Sequence, residues 1–214
     1  MSKKVMLLAL AAVSAAMFAL PAAASAQEAH IEGVTSFSGT FGASSLTASG
    51  EPVITCEGPN HVTGTVNAGG TTGNITLDFT ACHTTVLGAT IKCRTSGSPI
   101  DNTIASSGVF HVITTNNKPG VLVTPAPTAI ICGGLSTVNV AGNIIGTITS
   151  PACGVSSTKL VTKFTSSGAV QEDKSYTGTN YNLTAQTGSG EKKEAGLTAE
   201  ATLESATAGK VNCT

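Results

Sequence analysis

Charge is scarce in this sequence. Only 11% of the 214 residues are Asp, Glu, Lys or Arg, against about a quarter in an ordinary soluble domain. The formal net charge is −1 and no basic run exists, which excludes nucleic-acid binding through bulk positive charge. The chain is also too weakly charged to be a highly charged disordered tail. Few Leu and few charges exclude a coiled coil. Trp is absent and aromatics are 4%, so the usual stacking platforms for sugars are missing. No G-x-S-x-G, G-x-G-x-x-G, P-loop or H-E-x-x-H signature occurs. The lack of a C-x-x-C pair argues against a zinc ribbon or a thioredoxin-like centre. No interior segment keeps a helical period for three turns.

Groups for acid–base chemistry are equally few. Between residues 58 and 171 the charged side chains are Asp78, Lys92, Arg94, Asp101, Lys118, Lys159 and Lys163. Glycoside hydrolysis usually needs two carboxyls across a cleft. Here Asp78 falls on the solvent side of an expected strand and Asp101 follows Pro99-Ile100 at a turn. Ser156-Ser157-Thr158-Lys159 matches S-x-x-K. It runs into a strand-like stretch rather than opening a helix, and the S-D-N and K-T-G partners are missing. The four histidines are His30, His61, His83 and His111. His111 shares an expected strand face with Val109 and Ile113 and reads as a core or rim histidine. His83 adjoins Cys82, but an oxidised cysteine is not a thiolate ligand. A secreted hydrolase would need His111 or His83 beside a nucleophile or carboxylate. The expectation is a non-enzyme with no catalytic residue, cofactor or metal.

What the chain does have is Thr, Ser and Gly, with 33, 21 and 24 copies. It opens with an address. Lys3 and Lys4 precede an apolar stretch from Val5 to Leu20. Pro21 breaks that stretch, and Ala24-Ser25-Ala26 has the small-x-small form of a cleavage site. This predicts a signal peptide over 1–26 and one mature domain over 27–214 with no integral membrane segment. Position 27 is Gln, so attachment of lipid to a new N-terminal Cys is not expected.

Six cysteines follow: Cys56, Cys82, Cys93, Cys132, Cys153 and Cys213. An even count on a secretory route predicts disulfides, in one of 15 pairings. Locality suggests Cys82–Cys93 and Cys132–Cys153, leaving Cys56–Cys213.

The body reads as strand after strand. Val62, Gly64 and Val66 alternate with Thr63 and Thr65. Asn67-Ala68-Gly69-Gly70 makes a turn, and Ile75, Leu77 and Phe79 then alternate with Thr76, Asp78 and Thr80. That is a hairpin with one buried face. Further runs are Val109–Ile113, Val121–Val123, Val138–Val140, Ile144–Ile148, Leu160–Phe164 and Tyr181–Ala185. Asn117-Lys118-Pro119-Gly120 suits a type II turn, and Thr124-Pro125-Ala126-Pro127 interrupts a strand. Residues 172–214 are more charged, with loops expected at Glu172–Thr179 and Gly188–Glu194. The alternation of Leu197, Ala199, Ala201 and Leu203 with Thr198, Glu200, Thr202 and Glu204 predicts a strand; Ala, Glu and Lys leave a helix as the alternative. The fold class expected is all-β, an antiparallel sandwich or barrel stapled by disulfides. Thr63/Thr65, Thr147/Thr149 and Thr177/Thr179 show no fixed repeat, so β-propensity accounts for them. Glycosylation sequons occur at Asn74, Asn182 and Asn212.

The run Leu46–Gly50, Ile54-Thr55-Cys56, Val62–Gly70 and Ile75–Cys82 resembles small secreted bacterial β proteins, some of them labelled activators of alkane oxidation. The later runs Cys132-Gly133-Gly134 and Ile148–Gly154 look like secreted proteins of the same style. The resemblance implies an extracellular role at a cell surface or a hydrocarbon–water interface and carries over no functional residue.

The functional expectation is a secreted, non-catalytic β protein with a structural or binding role at the cell envelope or in a matrix. The alternative is an extracellular module for an apolar or carbohydrate ligand held in a barrel mouth or between sheets. The partner would be an extracellular protein, a carbohydrate or an apolar ligand, with no nucleic acid. An exposed strand edge would also favour self-association.

Overall fold

The computed structural model describes residues 29–115, 118–134 and 137–213; the expected signal peptide lies outside them. The described residues contain no helix. Eight antiparallel staves follow one another in chain order. The first holds β1 (His30–Glu32), β2 (Ser36–Phe41) and β3 (Ser44–Ala48). The second is β4 (Ile54–Cys56) with β5 (Asn60–Val66), and the third β6 (Thr72–Phe79) with β7 (Cys82–Val86). The fourth is β8 (Ala89–Thr95) with β9 (Ile104–Thr115), and the fifth β10 (Lys118–Pro125) with β11 (Thr128–Cys132). The sixth is β12 (Thr137–Gly142) with β13 (Ile144–Ser150). The seventh starts as β14 (Ser156–Phe164) and resumes as β19 (Leu183–Thr187). Between its halves sit two small hairpins, β15 (Ser166–Ser167) with β16 (Val170–Gln171), and β17 (Ser175–Tyr176) with β18 (Thr179–Asn180). The eighth stave is the single strand β20 (Lys193–Asn212).

The pairing closes the sheet on itself. The strand path runs from β14 through β13, β10, β9, β6, β5, β2, β20, β19, β12, β11, β8, β7 and β4 to β3, and both ends return to β20. Two eight-strand rings result, with the same cyclic order of staves. β20 belongs to both, pairing β3 over residues 195–198 and β14 over 199–210. Only Gly42-Ala43, Ala126-Pro127 or Asn143 separates the two halves of several staves. The architecture is therefore one up-and-down barrel in two tiers, a sandwich being excluded by closure. Eight strands leave an interior just wide enough for side chains or one small ligand.

The alternation read from sequence sets the inside. The expected β5–β6 hairpin is present, with Val62 opposite Leu77 and Gly64 opposite Ile75. Asn60 and Val62 are buried, while His61 and Thr63 are exposed. The stretch from Leu197 to Leu203 is strand, with Ala199 and Ala201 buried and Glu200 and Glu204 exposed.

The breaks gather at one level, a waist between the tiers. Gly42, Gly58-Pro59, Ala126-Pro127 and Gly142-Asn143 lie there; the prolines lack a ladder donor and the glycines lack a Cβ. Gly142 has φ +111°, and a Cβ at that position would sit 2.2 Å from the Asn182 carbonyl oxygen. Asn60 is fully buried at the waist. Its Nδ2 donates to the Gly42 carbonyl at 2.6 Å and its Oδ1 accepts from the Thr80 N–H at 2.7 Å. One amide thus ties together the interruptions of three neighbouring staves.

Two expectations need correction. Pro119 and Gly120 do not form a turn: both lie in β10, opposite Thr114 and Ile113, and are buried. The disulfides are Cys56–Cys82, Cys93–Cys132 and Cys153–Cys213, not the pairs suggested by locality. Cys56 faces Cys82 across β4–β7, and Cys93 faces Cys132 across β8–β11. His83 faces Lys92, so the same ladder places Cys82 opposite Cys93. Four cysteines therefore form one row across four adjacent strands, and which neighbours join is a matter of ladder geometry. A strand residue forms a close, non-hydrogen-bonded pair with one neighbour and a wide pair with the other. The joined pairs are the close ones, with Cα atoms 3.9 and 4.0 Å apart.

Candidate functional site

The barrel interior is not filled. The upper tier holds a cavity of about 100 Å³ and the lower tier one of about 80 Å³, where one water needs roughly 10–15 Å³. Leu77, Phe79, Val123, Ile144 and Leu197 line both cavities and form the partition at the waist. In the upper cavity Phe37, Phe41, Phe110 and Phe164 supply bulk. Phe37 meets Phe110 edge to face at 5.7 Å, and Phe41 meets Phe79 at 5.0 Å. β20, paired between β2 and β14, adds only the small side chains of Ala199 and Ala201 to the lining at this level.

One hydroxyl interrupts this apolar lining. Leu160, Thr162 and Phe164 of β14 all line the upper cavity. Thr162 is 3% exposed, and its Oγ1 is buried with no hydrogen-bond partner. It sits opposite Ala201 on one side and Ile148 on the other. A buried hydroxyl without a partner costs roughly 1–3 kcal/mol. The other such side-chain atoms among the described residues belong to Asn102, Thr114 and Thr187, none of which lines either cavity.

The upper cavity meets solvent at a bulge. Ser157 faces Gly209 while Lys159 faces Glu204, so residues 205–208 have only Thr158 across from them. Ser157, Thr158, Lys159, Glu204 and Ser205 line the cavity there. Lys159 and Glu204 are ion-paired at 2.8 Å, and the Glu204 carboxylate holds the Lys159 ammonium pKa above its ordinary value. Lys210, also on the rim, pairs with Glu32 at 3.0 Å. Bonds from Lys210, then His30 and Asn212, lower the Glu32 carboxyl from 4.5 to about 2. Both rim cations are thus engaged.

A second irregularity lies at the waist. The seventh stave leaves the wall after Phe164 and re-enters at Leu183. The excursion packs Tyr176 and Tyr181 over Ile113, Leu122 and Ile145. Thr147 donates to Asp173 at 2.7 Å. Gln171, 3% exposed, fills the vacated ladder. Its Nε2 donates to the carbonyls of Thr165 and Leu197, and its Oε1 accepts from the Leu197 N–H.

The residues singled out for chemistry do not converge. His111 is exposed on the outer face opposite Leu122 and Thr72, not in the core or rim. His83 hydrogen-bonds the Ala81 carbonyl oxygen at 3.2 Å. His61 faces Asp78 on the outside of β5–β6. Asp101 pairs with Arg94 at 3.6 Å. Ser156 to Lys159 are strand residues. Among the described residues no group of three His, Cys, Asp or Glu is placed to hold a metal ion. Asn74 and Asn182 are exposed and Asn212 is half-buried.

Thr162, Ala199, Ala201 and Gln171 were not singled out from sequence. Thr162 sits in a run read only as strand, and the alanines read only as its buried face. The chain has no match among protein-family models, curated proteins or solved structures.

Proposed function

We propose that the protein is a secreted, non-catalytic barrel that holds an apolar small molecule in its interior. The observation that carries this reading is the unfilled apolar space lined by Phe, Leu, Ile and Val in both tiers. A purely structural scaffold would gain stability by filling such space, since each cubic ångström of apolar cavity costs about 24 cal/mol. A carbohydrate fits poorly, because its hydroxyls would find few partners inside. Three disulfides favour an oxidising compartment. The outward residues Ser36, Ser38, Thr63, Thr65, Thr76 and Ser107 are exposed and polar, the inverse of a lipid-facing barrel with its outer apolar band. Closure gives every strand of the two rings two neighbours, so self-association through an edge would have to use β1, which pairs β20 alone, or the two-residue strands of the excursion.

The test is isothermal titration of the oxidised protein with benzene, a probe on the scale of chambers of about 100 and 80 Å³. Saturable binding supports the carrier reading. Absence of binding to a folded protein with all three disulfides overturns it.

A further inference from the structure

We infer that the upper cavity is built for a single aromatic ring, and that the ligand class is a small monocyclic arene such as benzene. The inference rests on the carrier reading and names its ligand. Phenylalanine is scarce in this chain, yet all five phenylalanines among the described residues line this one cavity: Phe37, Phe41, Phe79, Phe110 and Phe164. Only Phe79 also reaches the lower cavity, where Leu, Ile and Val supply the rest of the bulk.

Three of the rings are seated on glycines. Gly64 of β5 faces Phe37 of β2, and Gly73 of β6 faces Phe110 of β9. Gly146 of β13 lies against Phe164 of β14 in the same way. A Cβ on these glycines would stand 2.8 Å from Cε1 of Phe37, 2.5 Å from Cζ of Phe110 and 2.6 Å from Cε1 of Phe164. Each ring thus fills the place of a missing side chain on the next stave and lies along the wall rather than across the barrel. A glycine inside a strand weakens it and often marks a close approach. Three such positions, each under a ring, keep the centre of the upper tier open.

An aromatic ring has a negative face and a positive edge, and ring pairs gain from edge-to-face contact beyond the area they bury. The wall already uses this geometry in the Phe37–Phe110 and Phe41–Phe79 contacts. An arene in the cavity adds contacts of the same kind, whereas an aliphatic ring of similar size fills the space without them. A space of about 100 Å³ excludes long chains, and its apolar wall disfavours polar substituents.

Isothermal titration of the oxidised protein compares benzene with cyclopentane, each affinity referred to that probe's own partition from water into hexadecane. On that scale benzene should bind the native protein about two- to tenfold more tightly. Phe164→Leu removes a ring that lines the upper cavity alone. It should at least halve the benzene margin and leave cyclopentane bound as before or tighter. Gly146→Ala should push the Phe164 ring into the cavity and weaken both probes at least tenfold. Thermal melting verifies that each variant folds, and Phe37→Leu takes the place of Phe164→Leu if that variant does not. Cyclopentane bound as tightly as benzene by the native protein overturns the arene class and leaves the carrier reading standing. An unchanged margin in folded Phe164→Leu or Phe37→Leu overturns the rings as the recognising groups, and undiminished binding in Gly146→Ala overturns the seating that keeps the space open. Failure of both probes to bind the native protein overturns the carrier reading itself.

Discussion

Gln171 replaces a missing β-strand at Leu197: its Oε1 accepts from the Leu197 N–H at 2.9 Å and its Nε2 donates to the Leu197 carbonyl at 3.2 Å. One side chain thereby completes both polar groups of a residue that lines both cavities. Gln171→Met keeps length and removes the amide, leaving buried backbone groups unsatisfied at roughly 1–3 kcal/mol each. Urea unfolding should show a loss of about 2–4 kcal/mol, and the Leu197 amide should exchange faster than its neighbours. Unchanged exchange at Leu197 would show that the wall does not depend on Gln171.

Ala201→Leu tests whether the upper cavity is the binding space. The added carbons point at Thr162 and the space beside it. Stability should stay within about 1–3 kcal/mol of native, and binding of benzene should fall at least tenfold. Native-like benzene binding in this variant would move the site elsewhere.

The Glu32 carboxyl has a pKa lowered to about 2 by Lys210, His30 and Asn212. Its contribution is fully present above the unfolded value near 4.5 and is lost as pH falls toward about 2. The prediction is that β1 detaches from β20 across that window before the barrel unfolds. Proteolysis of the oxidised protein by pepsin, graded from pH 4.5 to 2, should release the N-terminal segment first. Glu32→Gln should show the same cleavage throughout the window.

Leu87 and Gly88 form a two-residue turn in which both have positive φ, 51° and 81°. Asn or Gly is favoured at the first position of such a turn, and Leu is disfavoured there. Leu87 is also fully exposed, so its side chain gains nothing from packing. Leu87→Asn should raise stability by about 1 kcal/mol, read as an upward shift in the melting temperature.

The row of four cysteines makes a prediction about pairing. In Cys56→Ser with Cys132→Ser, the remaining Cys82 and Cys93 face one another along the β7–β8 ladder. Peptide mapping after oxidation should recover the Cys82–Cys93 bond. Two free thiols there would mean that the wide position does not support a bridge.

The all-β class was legible because inside and outside alternate plainly, as in Val62-Thr63-Gly64-Thr65. The disulfides were not, because distance along the chain carries no information about which side of a ladder is close. Cys82 and Cys93 are neighbours in sequence and in space, yet each bonds to the strand on its other flank. Pro119-Gly120 carries turn chemistry, but strand pairing on both sides of β10 overrode it. The candidate site left no motif because a cavity is volume that residues fail to fill. Ala199 and Ala201 look like ordinary strand residues until Phe164 and Thr162 are set across from them.

β20 is the last strand of the sheet, yet both rings close on it. Ser38 waits for Glu204 and Leu46 for Leu197, separations of more than 150 residues. A chain that is synthesised from its N-terminus thus completes seven staves with an open seam, and closure of both tiers is a single late event. Contacts this distant in sequence make folding slow. Truncation between residues 195 and 210 would therefore reopen a barrel wall.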